Sequence, residues 1–217
     1  MAAAYPINIT INDGIGNGTD WYSSNRENNE TEPGTITSQL WDMEAFHVNG
    51  NTLTMIGGYN FTSPSGYDGF RPGDLFIDVN GSGFYDFVAT IGNSPSFYDV
   101  YALGNGSLSY DVYYSQNLFS NPWRYKSGGT LVESGLSAIY GFYDDGEGKH
   151  YTVDLDFSWL NSYVANGSTI TIHNTMECGN DNLMAQYNYQ VPEGGSYIAI
   201  IGLLLMIMFV HRRHLKA

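Results

Sequence analysis

One short stretch carries oxygen side chains spaced for a hard cation. Asp78, Asn80 and Ser82 alternate and run into Gly83, Phe84 and Asp86. Alternate carboxylate, amide and hydroxyl oxygens ending in a Gly turn can wrap Ca²⁺. An EF-hand needs a bidentate acid at the twelfth position of its loop, and that position is Ala89. A free-standing calcium loop would therefore draw its last ligand from elsewhere, with Asp74 the candidate. The plainer alternative is an Asn-Gly hairpin on a surface short of positive charge. A second acidic turn, Asp144-Asp145-Gly146-Glu147, reads as a solvated loop.

Paired carboxylates are the next chemistry. Asp42 and Glu44 would share one strand face, as would Asp154 and Asp156. Glycoside hydrolysis needs one acid of raised pKa and a set separation across the scissile bond. Outward-facing strand acids explain the same spacing without catalysis. The five histidines show no zinc-ligand spacing. Cys178 cannot pair within the chain, and the acid Glu177 beside it disfavours the thiolate, so it reads as structural or as a thiol able to pair between chains.

Tyrosine is abundant, with 18 in the chain and aromatics at 15%. The densest region holds Tyr98, Tyr101, Tyr110, Tyr113, Tyr114, Trp123 and Tyr125. Exposed rings stack on the apolar C–H faces of sugars, while nearby Asp and Asn take the hydroxyls. Tyr110, Tyr113, Trp123 and Tyr125 are the candidate glycan contacts. The alternative is that a β core and its cross-strand pairs consume these aromatics.

Strands must position these groups. Tyr151, Val153, Leu155, Phe157 and Trp159 alternate with Thr152, Asp154, Asp156 and Ser158, the period of a half-buried strand. Further strands are expected at 40–48, 52–56, 74–79, 84–91, 97–103, 107–114, 136–143 and 169–173. Asn-Gly pairs at Asn49, Asn80, Asn105 and Asn166 punctuate them as hairpin turns. Residues 12–34 and 115–129 read as long polar loops. Before residue 190 no long segment keeps a helical period. The expectation is an all-β antiparallel sandwich, jelly-roll-like, spanning residues 1–190.

Charge divides the chain in two. Residues 1–190 carry 21 acidic and 5 basic side chains, a formal −16, while 211–217 carry Arg212, Arg213 and Lys216 and no acid. Such an acidic surface repels a polyanion, which excludes nucleic acid as the main partner. Between the two lies an apolar run at 197–210, extended to 17 residues if counted from Gly194. A bilayer-spanning helix needs roughly 17–25 residues. The run is apolar on every side and a basic cluster follows, so a single C-terminal membrane helix with a cytoplasmic end is expected, with Arg212 and Arg213 fixing its orientation.

Val191-Pro192-Glu193 followed by Gly194-Gly195-Ser196 precedes this helix. The tripartite ending resembles the PEP-CTERM sorting signal: a short Pro-containing motif, a short apolar helix and an Arg-rich end. The commonest form has a second proline where Gly194 stands here. Three body blocks look like those common in surface proteins of that class: Trp41-Asp42-Met43-Glu44-Ala45-Phe46, Leu53 to Tyr59, and Gly73-Asp74-Leu75-Phe76-Ile77-Asp78. Thr175 to Asp181 is similar to them as well. The resemblance implies an exosortase as partner, cleavage near the motif, and association with extracellular polysaccharide or the cell surface. Met1-Ala2-Ala3-Ala4 has neither a basic nor an apolar signal region, yet the alanines look like the end of a cleavage site, so an upstream export signal is expected.

Together these features describe an exported, non-enzymatic surface protein, parked in the membrane at residues 191–217 until a sorting peptidase acts. Polysaccharide binding and a Ca²⁺ ion are the candidate additions. The rivals are an extracellular glycoside hydrolase or lyase using Asp42 and Glu44, and a permanently anchored structural protein.

Overall fold

The computed structural model describes Ile36 and residues 38–63, 66–93, 96–104, 110–117, 120–144 and 149–190. Eleven strands lie among them, and every pairing is antiparallel. Nine form one sheet in the order β1 (Ala45–Asn49), β2 (Thr52–Gly57), β9 (Lys149–Asp156), β8 (Thr130–Asp144), β5 (Phe97–Ala102), β4 (Phe87–Ala89), β3 (Leu75–Asp78), β10 (Thr169–Thr175) and β11 (Asn182–Asn188). The remaining two, β6 (Tyr110–Tyr113) and β7 (Arg124–Gly128), pair as a separate hairpin.

The sheet curls until its ends approach, because β8 serves both halves. Its first half pairs with β5, from Thr130 opposite Ala102 to Ser137 opposite Phe97. Its second half pairs with β9, from Ala138 opposite Leu155 to Asp144 opposite Lys149. Register shifts on β5 around Val100 and a left-handed Gly135, at φ +67°, bend the strand before it changes partner. A side chain at that φ would be strained, which is the reason for glycine here. The Gly135 N–H donates to Asp99 Oδ1 at 2.9 Å, fixing the bend.

Closure is completed by side chains. Met43 N–H, just before β1, donates to Asp181 Oδ2 at 2.5 Å, and Asn180 exchanges two hydrogen bonds with the Ile36 backbone. The β10–β11 turn is thereby stitched to the chain entering β1, leaving a nearly closed, barrel-like sheet.

Alternation along the strands fills its interior. Val153 and Leu155 on β9, Leu75 and Ile77 on β3, and Ile170 and Ile172 on β10 all lie in the main core with Phe46, Leu53, Met55 and Tyr98. Each such side chain contributes about 1.5–3 kcal/mol by leaving water. The opposite face of β3–β4–β5 carries a smaller cluster, Phe76, Val88 and Leu103, covered by Tyr101, Tyr110, Val112 and Tyr125. The β6–β7 hairpin is thus a flap packed on the outside of the sheet.

The antiparallel all-β class matches the sequence expectation, and the Asn49-Gly50 hairpin joins β1 to β2 as expected. Strand β7 falls inside the segment expected to be a loop, β8 begins at Thr130 rather than 136, and β11 has no counterpart among the expected strands. No helix among the described residues is long and apolar enough to cross a membrane. The sorting motif Val191, Pro192 and Glu193, the apolar run and Arg212 and Arg213 lie outside the described residues.

Candidate functional site

The flap is tied down at Asp74, and its connecting segment is tied to the β10–β11 turn by Asn117 N–H donating to the Cys178 carbonyl at 3.3 Å and the Ser120 hydroxyl donating to the Gly179 carbonyl at 3.0 Å. Asp74 N–H donates to the Trp123 carbonyl at 2.8 Å, and the Asp74 carboxylate accepts from Tyr125 N–H at 2.9 Å and Gly92 N–H at 3.0 Å. This clamp requires the residue before it to have no side chain. A Cβ on Gly73 would sit 2.1 Å from the Thr175 carbonyl oxygen and 2.3 Å from that of Trp123. Burial raises the Asp74 carboxyl to about 6, against the two N–H donors and the charge of Arg124, which pull it down.

Strand β7 leaves the clamp with Arg124, Tyr125 and Lys126 in succession. Tyr125 stacks on Tyr101 of β5 at 4.7 Å between ring centres. Trp123 is buried, with the Arg71 guanidinium 5.2 Å and the Arg124 guanidinium 5.7 Å from its ring centre. Arg71 is itself oriented by a two-point fork: Nε and a terminal nitrogen each donate to the Glu177 carboxylate at 2.9 Å. That bond holds the Glu177 carboxyl below its ordinary range. The Lys126 ammonium lies 5.8 Å from the ring centre of Tyr113.

These groups enclose a cleft of about 440 Å³ lined by Arg71, Arg124, Lys126, Tyr101, Tyr113 and Tyr125, together with Thr90 and Asp99. Three of the five basic residues within 1–190 meet here. The lining carboxylate, Asp99, has one oxygen engaged by Gly135 N–H. Chemically the cleft offers aromatic faces, fixed guanidinium planes and a lysine donor. It can bind and orient a ligand; no acid–base or nucleophilic pair converges in it among the described residues.

A second cleft of about 420 Å³ lies across the flap, lined by Phe84, Tyr85, Tyr110, Asp111 and Tyr114, with Asn121 and Pro122. Phe84 is 62% and Tyr114 70% exposed. Behind it, His173 stacks on Tyr85 with ring centres 5.7 Å apart. Burial drives the His173 imidazole down to about 4, with the neighbouring Asn182 side chain opposing. Of the expected glycan contacts, Tyr113 and Tyr125 therefore line the cationic cleft, Tyr110 lines its neighbour, and Trp123 is a buried platform under the two arginines.

The cation loop folds on itself. Asp78 accepts from Asn80 N–H, Gly81 N–H and Gly83 N–H at 2.8–3.0 Å, and Asp86 accepts from Val79 N–H and the Asn80 amide. Ser82 N–H donates to Asn80 Oδ1. All four carboxylate oxygens thus hold hydrogen bonds. Asp74 stands at the other end of β3 from this loop and is tied up in the clamp, so the structure does not bring it to Asp78. Among the described residues no three His, Cys, Asp or Glu side chains converge as a metal site.

Asp42 and Glu44 are buried, not outward on a strand; both precede β1. Glu44 meets His150 Nδ1 in an interior hydrogen bond at 2.8 Å, braced by the Gln39 amide and by Tyr143 stacked on the imidazole. The pair joins residues 106 apart, and no local pattern announces it. Asp156 is exposed, and Asp154 accepts from the Thr54 hydroxyl at 2.6 Å. Cys178 is half-buried, and burial together with Glu177 raises its thiol pKa.

Sequence reasoning misses the cationic character of the cleft. Its signal is present as Trp123-Arg124-Tyr125-Lys126, basic and aromatic residues interleaved in a chain otherwise poor in cations. No family model, no curated protein and no solved structure matches this chain.

Proposed function

We propose that this chain is an exported, membrane-tethered surface protein, a jelly-roll-like domain that binds extracellular polysaccharide through the cleft beside β7 and performs no catalysis. The observation that carries the binding role is the convergence of Tyr101, Tyr113 and Tyr125 with Arg71, Arg124 and Lys126 around one open cleft. Aromatic faces supply sequence-tolerant stacking area for sugar rings, and the polar heads set orientation.

The export and sorting role rests on the tail: Val191-Pro192-Glu193 presents a site to an exosortase, residues 197–210 hold it in the bilayer, and Arg212 and Arg213 set its direction. The reading does not require a calcium ion at the Asp78 loop, whose carboxylate oxygens already hold hydrogen bonds from Val79, Asn80, Gly81 and Gly83. The burial of Asp42 and Glu44 supports the non-catalytic role, since an acid sealed against His150 does not reach a glycosidic bond.

Intact-mass measurement of the protein recovered from its source tests the tail: a mature chain ending near Pro192 is expected, and retention of 197–210 would refute sorting. Affinity electrophoresis of the purified chain in polysaccharide gels tests binding, with retardation expected. Turnover of a polysaccharide panel that disappeared in Glu44→Gln would overturn the non-catalytic role.

A further inference from the structure

We infer that the ligand of the β7 cleft is an acidic glycan, bound through the carboxylate of a uronic acid residue. This rests on the glycan-binding reading and narrows it. A neutral sugar needs only the aromatic faces; it gives no account of why Arg124 and Lys126 of a cation-poor chain join Arg71, whose charge Glu177 meets, in a cleft with the one lining carboxylate Asp99. Arg71 already holds a carboxylate, that of Glu177, in a two-point fork at the cleft wall. Arg124 brings a second guanidinium to the same tryptophan, 5.7 Å from its ring centre, and Lys126 adds an exposed ammonium beside Tyr113. Planar guanidinium donors match planar carboxylates, and an ammonium adds a point charge beside them.

The negative charge on the rest of the chain is compatible with this. The Debye length is about 8 Å at 0.15 M ionic strength, so carboxylates elsewhere on the surface are screened while contacts inside the cleft persist. The acidic surroundings make the cleft the favoured landing point for an anionic sugar and set a penalty for landing anywhere else. A volume of about 440 Å³ suits a short stretch of chain, not an extended polymer face.

The test compares oligogalacturonate with the same oligomer methyl-esterified, which keeps the sugar rings and removes the charge. Binding is measured by calorimetry on the purified full chain at 0.15 M salt. Acid oligomer bound at least about tenfold more tightly than ester is expected, a preference lost in the double variant Arg124→Gln, Lys126→Gln. Equal affinity for acid and ester would overturn the acidic-glycan inference and leave glycan binding standing. Binding of neither would overturn the glycan reading itself. A double variant that melts like the parent yet keeps the preference would place the site elsewhere and also overturn the inference. The acid–ester comparison on the unaltered chain decides the charge question even if the variant fails to fold.

Discussion

Two clefts of nearly equal volume, about 420 and 440 Å³, lie on either side of the same hairpin, and both are walled by tyrosines. One collects Arg71, Arg124 and Lys126 against the single carboxylate of Asp99; the other has Asp111 as its charged residue. The groups buried behind them also differ in kind. Asp74, raised to about 6, clamps the cationic side, while His173, lowered to about 4, backs the aromatic side through Tyr85. Aromatic density and volume therefore do not separate a candidate binding cleft from its neighbour. The placement of scarce cations does.

The largest expected effect removes the hairpin from both. Gly73→Val puts carbon inside the van der Waals radius of two carbonyl oxygens, and the clamp beside it should open. A loss of about 4 kcal/mol in urea unfolding is expected, together with loss of glycan retardation.

The buried groups separate the clefts by pH. His173 is neutral when folded, so the unfolded chain binds the extra proton and stability is lost as pH falls from 6.5 toward 4. Asp74 runs the other way: protonated more readily when folded, it contributes stability below pH 3.8 that is lost as pH rises through 6. Each swing is about 3 kcal/mol. Relative to the parent, His173→Phe should therefore gain about 3 kcal/mol between pH 7 and pH 4, and Asp74→Asn should lose a similar amount. Urea titrations at the two pH values measure both, and parallel curves for parent and variants would break the contrast.

A smaller effect tests the rings. Tyr113→Ala in the cationic cleft should weaken oligogalacturonate binding about tenfold, whereas Tyr114→Ala, across the flap, should leave it within about twofold. Calorimetry reads both, and equal losses would merge the two clefts into one surface. The smallest effect concerns the Asp78 loop beside Phe84. With its carboxylate oxygens already hydrogen-bonded, 1 mM calcium is expected to shift the melting temperature by less than about 1 °C. A rise of several degrees would instead establish a resident cation there.

Most of the sheet is legible in the sequence wherever one face meets solvent. The alternation that begins at Tyr151 is β9 as far as Asp156, although Trp159 at its expected end lies in a 3-10 turn over Ser158–Ser162, and Asn49-Gly50 is the expected turn between β1 and β2. Strand β7 escapes because Arg124-Tyr125-Lys126-Ser127-Gly128 has no buried face of its own; the strand exists through pairing with β6 and the Asp74 clamp. For the site, residue types are legible but partners are not. Proximity in sequence groups the tyrosines, yet Trp123 among them is a buried support. Asp74 does act as a ligand, but what its carboxylate holds is a pair of backbone N–H groups, those of Gly92 and Tyr125, in place of a cation. Asp42 and Glu44 look like surface acids because nothing local marks His150 as the partner of Glu44.

The fifteen-residue strand β8 has a bearing on how the molecule comes apart. It supplies hydrogen bonds to β5 and then to β9, so neither half of the barrel can open without tearing the same strand from the other. The barrel should therefore behave as one cooperative unit, its amides exchanging only in global unfolding. The β6–β7 flap shares no ladder with it and can lift by breaking the Asp74 clamp, the Asn117 and Ser120 hydrogen bonds to the β10–β11 turn, and the packing on Phe76, Val88 and Leu103. Ligand capture can then loosen or tighten the flap while the barrel, and any pull transmitted through it, stays unchanged.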